Sequence, residues 1–495
     1  MIEQEWAYQI ESCLPFSPTA GQGMAVAVFS RFMTDASPDV AMLLRGSAGT
    51  GKTSVARAIV RAMTAMKQKV VLLAPTGRAA KVFEQGIAGG ATHAYTIHRK
   101  IYRQRAYMSD AFTLADNMHT DTIFMVDEAS MVSTSELGVS GAFGAGNLLD
   151  DLVRYVYSGR NCRLVLIGDT AQLPPVGCEE APALVSGYIA GYGLTVYDYD
   201  LTEVLRQSQE SGILWNATML RNLITHDDMT QLPKIRFDGF ADITICPGNE
   251  LIDSLGSSYS RVGMDETIVI TRSNKRANVY NLGIRNQVLD REEELSSGDS
   301  VMIVKNNYFW TETIKAEMGK EEKEDDNLPP FLANGDRCVV RRVRNTRELF
   351  GFRFADVLLE FPDYDGLEIQ ATAVLDTLQS EAPALTYEQQ ETLFNGVLED
   401  YADMSRKQDK FKALKEDKHF NALQIKYAYA VTCHKAQGGQ WAHVYVDQGY
   451  MTDDMLSPSY IHWLYTAFTR ATEHLYLVNW REEQTERNQQ VVDEN

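Results

Sequence analysis

The sequence predicts an α/β fold built on buried parallel strands, with a small β-barrel inserted in its second half. Short apolar runs recur at residues 42–44, 69–73, 122–126 and 163–167, and small, polar or charged residues follow each one. Such runs are typical of strands buried on both faces of a parallel sheet. Short strand-like segments with turn residues between them then crowd into residues 335–368, which favours antiparallel strands.

Composition limits the class of protein. The chain has 495 residues, of which 44% are hydrophobic, so we expect two to four domains with real cores rather than disorder. No uncharged apolar run approaches the roughly 18–20 residues of a membrane span. The start, Met1–Glu5, lacks the basic and apolar regions of a signal peptide. Six scattered cysteines without a C-x-x-C pair disfavour a disulfide framework or Cys-rich zinc site and indicate a cytoplasmic protein.

The total charge and its distribution point in different directions. With 47 Lys and Arg against 67 Asp and Glu, the net charge is −20, which alone argues against a nucleic-acid partner. The segment from Arg45 to Arg105, however, contains twelve basic residues and one acidic residue, so its net charge is +11. The remaining residues together carry −31. The segment 311–327, which contains the acidic run 321–326, is expected to be a solvated loop, with a partner-binding segment as the alternative. The distribution therefore leaves an anionic ligand open.

Residues 46–53, Gly-Ser-Ala-Gly-Thr-Gly-Lys-Thr, fit the phosphate-binding pattern G-x-x-x-x-G-K-S/T. A strand precedes the pattern and a helix follows it, so backbone N–H groups and the positive end of the helix can surround phosphate oxygens. Lys52 can reach the β- and γ-phosphates, and the Thr53 hydroxyl can bind Mg²⁺. The predicted nucleotide-binding residues here are Gly46, Ala48, Gly49, Thr50, Gly51, Lys52 and Thr53.

Two further strand ends carry side chains suited to hydrolysis. Asp127 and Glu128 follow the apolar run at 122–126. We assign Asp127 to Mg²⁺ and Glu128 to the attacking water, although acids at a strand end are often only solvated turn residues. Gln172 follows the run at 163–167 and can sense the γ-phosphate; a loop stiffened by its two prolines is the alternative.

Together these motifs resemble superfamily-1 helicases, and more closely their RecD and Dda-like, 5′→3′ branch. Four further segments occur in the family's order: APTGRAA (74–80), TIHR (96–99), TCHKAQG (432–438) and YTAFTRA (465–471). The resemblance implies two RecA-like P-loop NTPase domains with ATP between them and an SH3-like β-barrel inserted in the second. The implied bounds are 1–200 for the first RecA-like domain, with a candidate wedge insertion at 99–121; 201–300 and 420–480 for the second; 301–419 for the insertion with the barrel; and 481–495 for a polar tail.

The resemblance also implies further residues around the nucleotide. Gln22 matches a glutamine that reads the adenine edge, although a glutamine at a helix start is the plain alternative. Arg206 and Arg470 match arginines that reach the γ-phosphate from the second domain and would couple hydrolysis to domain closure. The alternative for either arginine is a surface ion pair. Ser54 and Gly438 are the remaining implied nucleotide contacts.

Candidate DNA contacts follow from the same resemblance. They are Thr76, His98, Arg103, Asn274, Thr432 and His434. Basic residues alternate with Tyr102 and Tyr107 across 99–107, where the family has a duplex-splitting wedge; a solvated amphipathic helix is the alternative. A second basic run, 337–347, is either a DNA-facing strand or an exposed edge kept soluble by its charge.

The expected function is therefore ATP-dependent, Mg²⁺-dependent 5′→3′ unwinding of DNA by a monomer that translocates on single-stranded DNA. Its partners would be single-stranded DNA, single-strand/duplex junctions and proteins of repair, recombination or replication, without a membrane. Two alternatives stay open. The chain could be a helicase-like subunit of a repair nuclease complex, or a P-loop ATPase switch that acts on a protein partner.

Overall fold

The computed structural model describes residues 2–85, 93–104, 112–134, 147–203, 210–226, 231–318, 328–329 and 331–486, and the statements below concern these residues. The chain divides into two compact units. The first unit comprises Met1–Gly248 and Ala436–Asn495, and the second comprises Asn249–Lys435.

Helices and strands alternate through most of the chain. The helices are α1 (Ile2–Ser12), α2 (Ala20–Thr34), α3 (Lys52–Ala65), α4 (Gly77–Gln85), α5 (Ile97–Ile101), α6 (Leu148–Ser158), α7 (Ser186–Ala190), α8 (Gly212–His226), α9 (Leu251–Arg261), α10 (Asn274–Gly283), α11 (Phe309–Met318), α12 (Tyr387–Asp400), α13 (Lys407–Glu416), α14 (Cys433–Ala436) and α15 (Pro458–Phe468). The strands are β1 (Val40–Gly46), β2 (Lys69–Ala74), β3 (Ala94–Thr96), β4 (Tyr102–Gln104), β5 (Phe112–Leu114), β6 (Thr122–Val126), β7 (Arg163–Gly168), β8 (Thr195–Leu201), β9 (Ile235–Arg236), β10 (Ile243–Cys246), β11 (Thr267–Thr271), β12 (Ser300–Ile303), β13 (Arg337–Leu349), β14 (Phe352–Phe361), β15 (Leu367–Val374), β16 (Leu423–Tyr427), β17 (Ala430–Thr432), β18 (Trp441–Asp447), β19 (Ala471–Val478) and β20 (Thr485–Glu486).

A six-stranded parallel sheet forms the main layer of the first unit, in the order β3-β2-β6-β7-β1-β8. Its four inner strands are the apolar runs predicted from the sequence. Helices cover both faces, so two apolar cores form: one includes Phe29 and Ile59, and the other includes Phe124 and Leu152. Because all six strands run the same way, their carboxyl ends meet at one edge, where α/β sheets bind ligands.

The remaining strands confirm the predicted fold class, an α/β P-loop fold with two RecA-like parts and a small barrel. In the first unit, β19 pairs in parallel with both β10 and β18. In the second unit, β11 pairs in parallel with β17, and strands β12 to β16 close a five-stranded barrel. The barrel pairs are antiparallel except for β15 with β16.

One segment differs from its expectation. The second RecA-like domain is expected to resume at residue 420, but β16 at Leu423–Tyr427 belongs to the barrel, and β17 at Ala430–Thr432 is the strand that pairs with β11. β16 pairs antiparallel with β12, because a barrel closes only when its last strand meets its first. The barrel therefore extends past residue 419. The charged segment before β16, residues 381–418, contains the helices α12 and α13.

Two other expectations concern segments of the surface. The solvated loop predicted at 311–327 is wrong for residues 311–318, which belong to α11, while residues 319–327 lie outside the described part of the chain. Within the described ranges, none of the helices combines the length and the apolar character that crossing a membrane requires.

Candidate functional site

The phosphate-binding loop has the backbone that its sequence predicts. β1 ends at Gly46 and α3 begins at Lys52, so the loop joins a buried strand to a helix N-terminus. Gly49 and Gly51 have φ angles of +77° and +79°, a left-handed conformation that side chains disfavour. The Lys52 ammonium donates to the Gly46 carbonyl over 2.8 Å and thereby folds back across the loop.

The loop forms one wall of a cavity of about 410 Å³ at the carboxyl edge of the six-stranded sheet. Side chains from the ends of β6 and β7 and from the segments around α14 and α15 form the other walls. The predicted residues that line it are Ala48, Gly49, Gly51, Lys52, Thr53, Asp127, Glu128, Gln172, Gly438 and Arg470. All of them belong to the first unit. The structure thus brings together the motifs that the sequence places far apart.

Asp127 sits in an unfavourable place for a negative charge. Burial raises the pKa of its carboxyl to about 6, with a further contribution from the neighbouring charge of Glu128, while Lys52 acts in the opposite direction. Its Oδ1 accepts from the Glu128 N–H over 2.9 Å. Thr53 lines the same cavity and adds a hydroxyl oxygen. The oxygen donors of Thr53 and Asp127, together with a carboxylate charge that burial disfavours, fit a hard divalent cation such as Mg²⁺.

Two buried acceptors stand beside the cavity with their hydrogen-bonding capacity unused. Among the described residues, neither Glu128 Oε2 nor Gln172 Oε1 has a hydrogen-bond partner. Glu128 also has a left-handed backbone, with φ at +52°, which directs its side chain away from the strand path. Buried acceptors normally find a donor, so a water molecule with two hydrogens suits this pair.

Arg470 lies inside the protein, which contradicts the alternative of a surface ion pair. Its side chain is 2% exposed, and it donates to the carbonyls of Thr466 over 3.1 Å and Gly439 over 3.2 Å. The guanidinium lies 3.7 Å from Glu128 Oε1. Its positive charge is therefore fixed at the wall of the cavity. The second predicted arginine, Arg206, lies outside the described residues.

Sequence reasoning missed several residues of the site. Arg57, Ile213 and Leu214 also line the cavity, but no spacing rule marks them. Tyr465 lies within the segment 465–471, yet nothing in the sequence assigned it a role. Its hydroxyl accepts from the Ala48 N–H over 2.8 Å and donates to Asp169 over 2.5 Å. An apolar helix that ends near Arg470 was the available signal, and it does not identify the tyrosine.

Gln22 lies in the first turn of α2, as the alternative interpretation of this residue predicts. It forms a capping box with Thr19, and its Nε2 donates to the Thr50 carbonyl over 3.2 Å. The described residues that line the cavity do not include Gln22, Gly46, Thr50 or Ser54. Gln22 and Thr50 thus shape the loop, and the adenine contact of Gln22 stays a prediction.

Candidate DNA contacts of the first unit lie at neighbouring strand ends. Thr76 follows β2 and His98 follows β3, and these strands pair in parallel. The Thr76 hydroxyl accepts from the Ala79 N–H over 3.2 Å at the start of α4. Burial lowers the pKa of His98 to about 4, so its imidazole is neutral at physiological pH. A contact from His98 would be a hydrogen bond rather than an ion pair.

The second unit repeats this arrangement. Thr432 ends β17 directly opposite Thr271 of β11, and Asn274 begins the helix that follows β11. The Ser273 hydroxyl accepts from the Arg276 N–H over 3.3 Å and caps that helix. Burial lowers the pKa of His434 as well. Asn274, Thr432 and His434 therefore share one edge of this strand pair.

The candidate wedge is an antiparallel ribbon. β4 pairs with β5, and the side chain of Arg103 and residues 105–111 lie outside the described part of the chain. The helix alternative applies only to α5. The interpretation of Tyr102 as a base-stacking residue is wrong, because Tyr102 is buried and donates to Asp151 over 2.7 Å.

The basic run at the start of the barrel is partly neutralised. Arg341 pairs with Glu360, and Arg347 pairs with Asp356 over 2.9 Å. Arg342 and Arg344 are exposed. This division leaves both interpretations of the run open, since a charged edge and a DNA-facing strand would each expose arginines.

Comparisons with known proteins agree with the motifs. Residues 31–232 match the family model described as AAA domain, and residues 427–478 match the UvrD-like helicase C-terminal domain. An ATP-dependent RecD2 DNA helicase of Deinococcus radiodurans is 30% identical over 177 residues, which are 36% of this chain and 21% of that protein. An uncharacterized protein of Methanocaldococcus jannaschii is 24% identical over 481 residues, 88% of this chain and 36% of that protein.

The chain thus spans roughly a third or less of the length of these curated relatives. A crystal structure of Pif1 helicase from Bacteroides in complex with ADP-AlF3 and ssDNA aligns with 95% of each chain at 14% identity and a TM-score of 0.46. The motifs from the P-loop to Gln172 lie inside the first matched range, and the segments 432–438 and 465–471 lie inside the second. The chain is therefore similar in sequence to helicases of the RecD type over part of its length.

Proposed function

We propose that the chain is an ATP-dependent DNA helicase that translocates 5′→3′ on single-stranded DNA and unwinds duplex. One observation carries the proposal: a single cavity gathers the P-loop, Asp127, Glu128, Gln172 and Arg470. The similarity to a UvrD-like helicase C-terminal domain and to a RecD2 DNA helicase supports DNA as the polymer. The 5′→3′ direction rests on the resemblance to the RecD and Dda-like branch.

In this proposal the cavity binds ATP and hydrolyses it. Lys52 and the N–H groups of the loop bind the phosphates, and Thr53 and Asp127 would hold Mg²⁺. Bound Mg²⁺ would neutralise charge on the phosphate oxygens. Glu128 Oε2 orients the attacking water and accepts its proton, while Gln172 accepts that water's second hydrogen. Arg470 stabilises the negative charge that develops on the transferred phosphoryl group.

The DNA contacts would be short polar side chains at strand ends. Thr76 and His98 in the first unit, and Asn274 and Thr432 in the second, lie at the carboxyl ends of parallel strands. Such groups suit phosphate oxygens, which carry no base information. The β4–β5 ribbon is the proposed wedge, and a monomer is the proposed working form.

The first experiment measures ATP turnover with and without single-stranded DNA. The Lys52→Ala variant should lose turnover, because it lacks the ammonium that binds the phosphates. Lys234→Ala is the matched control, since Lys234 is exposed and does not line the cavity. Turnover that persists in Lys52→Ala would contradict the nucleotide site. Turnover that DNA does not stimulate would favour a P-loop switch that acts on a protein partner.

A second experiment tests the direction of translocation and whether the purified chain unwinds DNA without partners. Unwinding is compared on duplexes with a 5′ or a 3′ single-stranded tail, and we expect the 5′ tail to be used. Preference for the 3′ tail would overturn the branch. Translocation on DNA without unwinding by the purified chain would favour a subunit of a larger complex.

A further inference from the structure

The hydroxyl of Tyr465 joins two motifs of the cavity that are far apart in the sequence. We propose that Tyr465 is a positioning residue for ATP hydrolysis, which holds the P-loop at Ala48 and the Asp169–Leu173 loop in fixed relation to α15, the helix that precedes Arg470. The proposal rests on the proposed function, because it assigns a role within the same cavity.

The geometry of this junction is short and buried. Tyr465 lies on α15 and is fully enclosed, 417 residues from Ala48 and 296 residues from Asp169 along the chain. Its oxygen is 2.8 Å from Ala48 N and 2.5 Å from Asp169 Oδ2. Ala48 and Asp169 both line the cavity. A single side chain thus contacts both motifs from behind the cavity wall.

The two hydrogen bonds have a fixed direction. An ionised carboxylate only accepts, and Asp169 Oδ1 already takes the Ala171 N–H over 2.9 Å. Oδ2 therefore takes the hydroxyl hydrogen of Tyr465, which leaves the phenol oxygen to accept from Ala48. Burial raises the pKa of Tyr465 well above its usual value, so the phenol stays a donor at any working pH.

α15 and the residue after α14 each hold the Asp169–Leu173 loop at one further point. The Thr466 hydroxyl accepts from the Leu173 N–H over 2.7 Å, and the Leu173 carbonyl accepts from Gln437 Nε2 over 2.6 Å. Gln172 therefore sits in a segment anchored on both sides, and Arg470 follows five positions after Tyr465. Without the phenol oxygen, the P-loop and the segment that contains Gln172 would each lose their hydrogen bond to Tyr465 on α15.

This arrangement predicts an effect on the chemical step rather than on binding. Tyr465 makes no hydrogen bond to Lys52 or Thr53 within the described chain, so the groups that hold the nucleotide keep their geometry. Alignment of Gln172 and Arg470 matters in the transition state. An interaction made only there changes kcat and leaves KM unchanged.

The experiment compares two tyrosines on α15. In Tyr465→Phe we expect kcat to fall about tenfold, equal to about 1.4 kcal/mol, with KM for ATP and the affinity for ADP within about twofold. Tyr460→Phe is the matched control. Tyr460 is 1% exposed and donates to Gln448 over 2.6 Å, so this variant also loses a buried hydroxyl contact. Its kcat should stay within about twofold of the wild type.

A second variant tests the link to Asp169. Asp169→Asn offers an amide to the phenol oxygen and competes with Ala48 for it, so kcat should fall again. The double variant should lose little more than either single variant, because both act on one contact. Additive losses, equal losses in the Tyr465 and Tyr460 variants, or a raised KM at unchanged kcat would each overturn the proposal.

The outcomes for the two proposals are distinguishable. Wild-type turnover that DNA does not stimulate refutes the helicase, while the effect of Tyr465→Phe on basal turnover still decides the role of the tyrosine. Stimulated wild-type turnover with unchanged kcat in Tyr465→Phe refutes the positioning role alone. Absence of any wild-type turnover refutes both.

Discussion

Replacing Asp127 with Asn should make the protein more stable and inactive at the same time. Burial raises the pKa of this carboxyl from 3.8 to about 6, so the folded protein holds an anion where a neutral group is preferred. At about 1.36 kcal/mol per pKa unit, the ionised form costs at most about 3 kcal/mol. Asn keeps the acceptor for the Glu128 N–H and removes the charge.

The effect depends on pH with a defined sign. Because the folded pKa lies above the unfolded one, the cost is complete above about pH 6 and disappears as pH falls towards 3.8. We therefore expect Asp127→Asn to gain about 3 kcal/mol near pH 8 and about 2 kcal/mol near pH 5.5. The corresponding rise in melting temperature near pH 8 is roughly 3–5 °C for a cooperative unit of this size.

Differential scanning fluorimetry without Mg²⁺ or nucleotide measures the difference, and ATP turnover should be lost in the same preparation. Asp299→Asn serves as the opposite control. Burial raises the pKa of Asp299, but bonds from Arg285, the Ser296 N–H and Arg291 outweigh that effect and lower it. Removing its charge leaves the buried Arg285 and the partly buried Arg291 without their carboxylate partner and should destabilise by about 3–5 kcal/mol. An Asp127→Asn protein that melts lower than wild type near pH 8 would refute the reasoning.

Three further expectations follow from the described geometry. Gly438→Ala should weaken single-stranded DNA binding several-fold in a fluorescence anisotropy titration, since an added Cβ would lie 3.1 Å from the Thr76 hydroxyl. Gly239→Ala is the control, because Gly239 also has a positive φ but an added Cβ there would meet no atom within 4 Å. Unchanged DNA binding in this variant would show that crowding against Thr76, not backbone strain, causes the effect at Gly438. Arg470→Ala should reduce kcat by roughly 10³-fold in a coupled ATPase assay, and a loss below about tenfold would argue against a role in the transition state. His98→Gln should change DNA affinity by the same factor at about pH 5.5 and pH 7.5, because the imidazole is neutral at both, and a growing difference at the lower pH would contradict this.

The sequence was sufficient where chemistry depends on short-range pattern. The P-loop and the Asp127–Glu128 pair each combine an apolar strand with the residues directly after it, so strand, turn and function are encoded together. The parallel sheet followed from the same runs. The prediction that these motifs meet needed the fold class, because parallel strands bring their carboxyl ends to one edge.

Contacts between distant segments could not be predicted in this way. Tyr465 meets Ala48 across 417 residues, and no local pattern specifies which side of α15 faces the sheet. The interpretation of Tyr102 as a base-stacking residue was wrong for a related reason. An aromatic residue beside arginines can stack on a base or fill a core, and only its hydrogen bond to Asp151 in the structure decides between these roles. Likewise, the sequence of β16 is that of an ordinary buried strand, and only its pairing with β12 in the structure shows that it belongs to the barrel.

The helix-capping hydroxyls at the strand ends have a consequence for how DNA would be read. Thr76 and Ser273 each accept an N–H from their own helix, which occupies a lone pair and leaves the hydroxyl hydrogen to be donated outward. A hydroxyl that can still donate suits phosphate oxygens, which only accept and which every nucleotide carries. Under the proposed function, these contacts would go to the backbone of the strand, so mixed and homopolymeric strands should pass equally well.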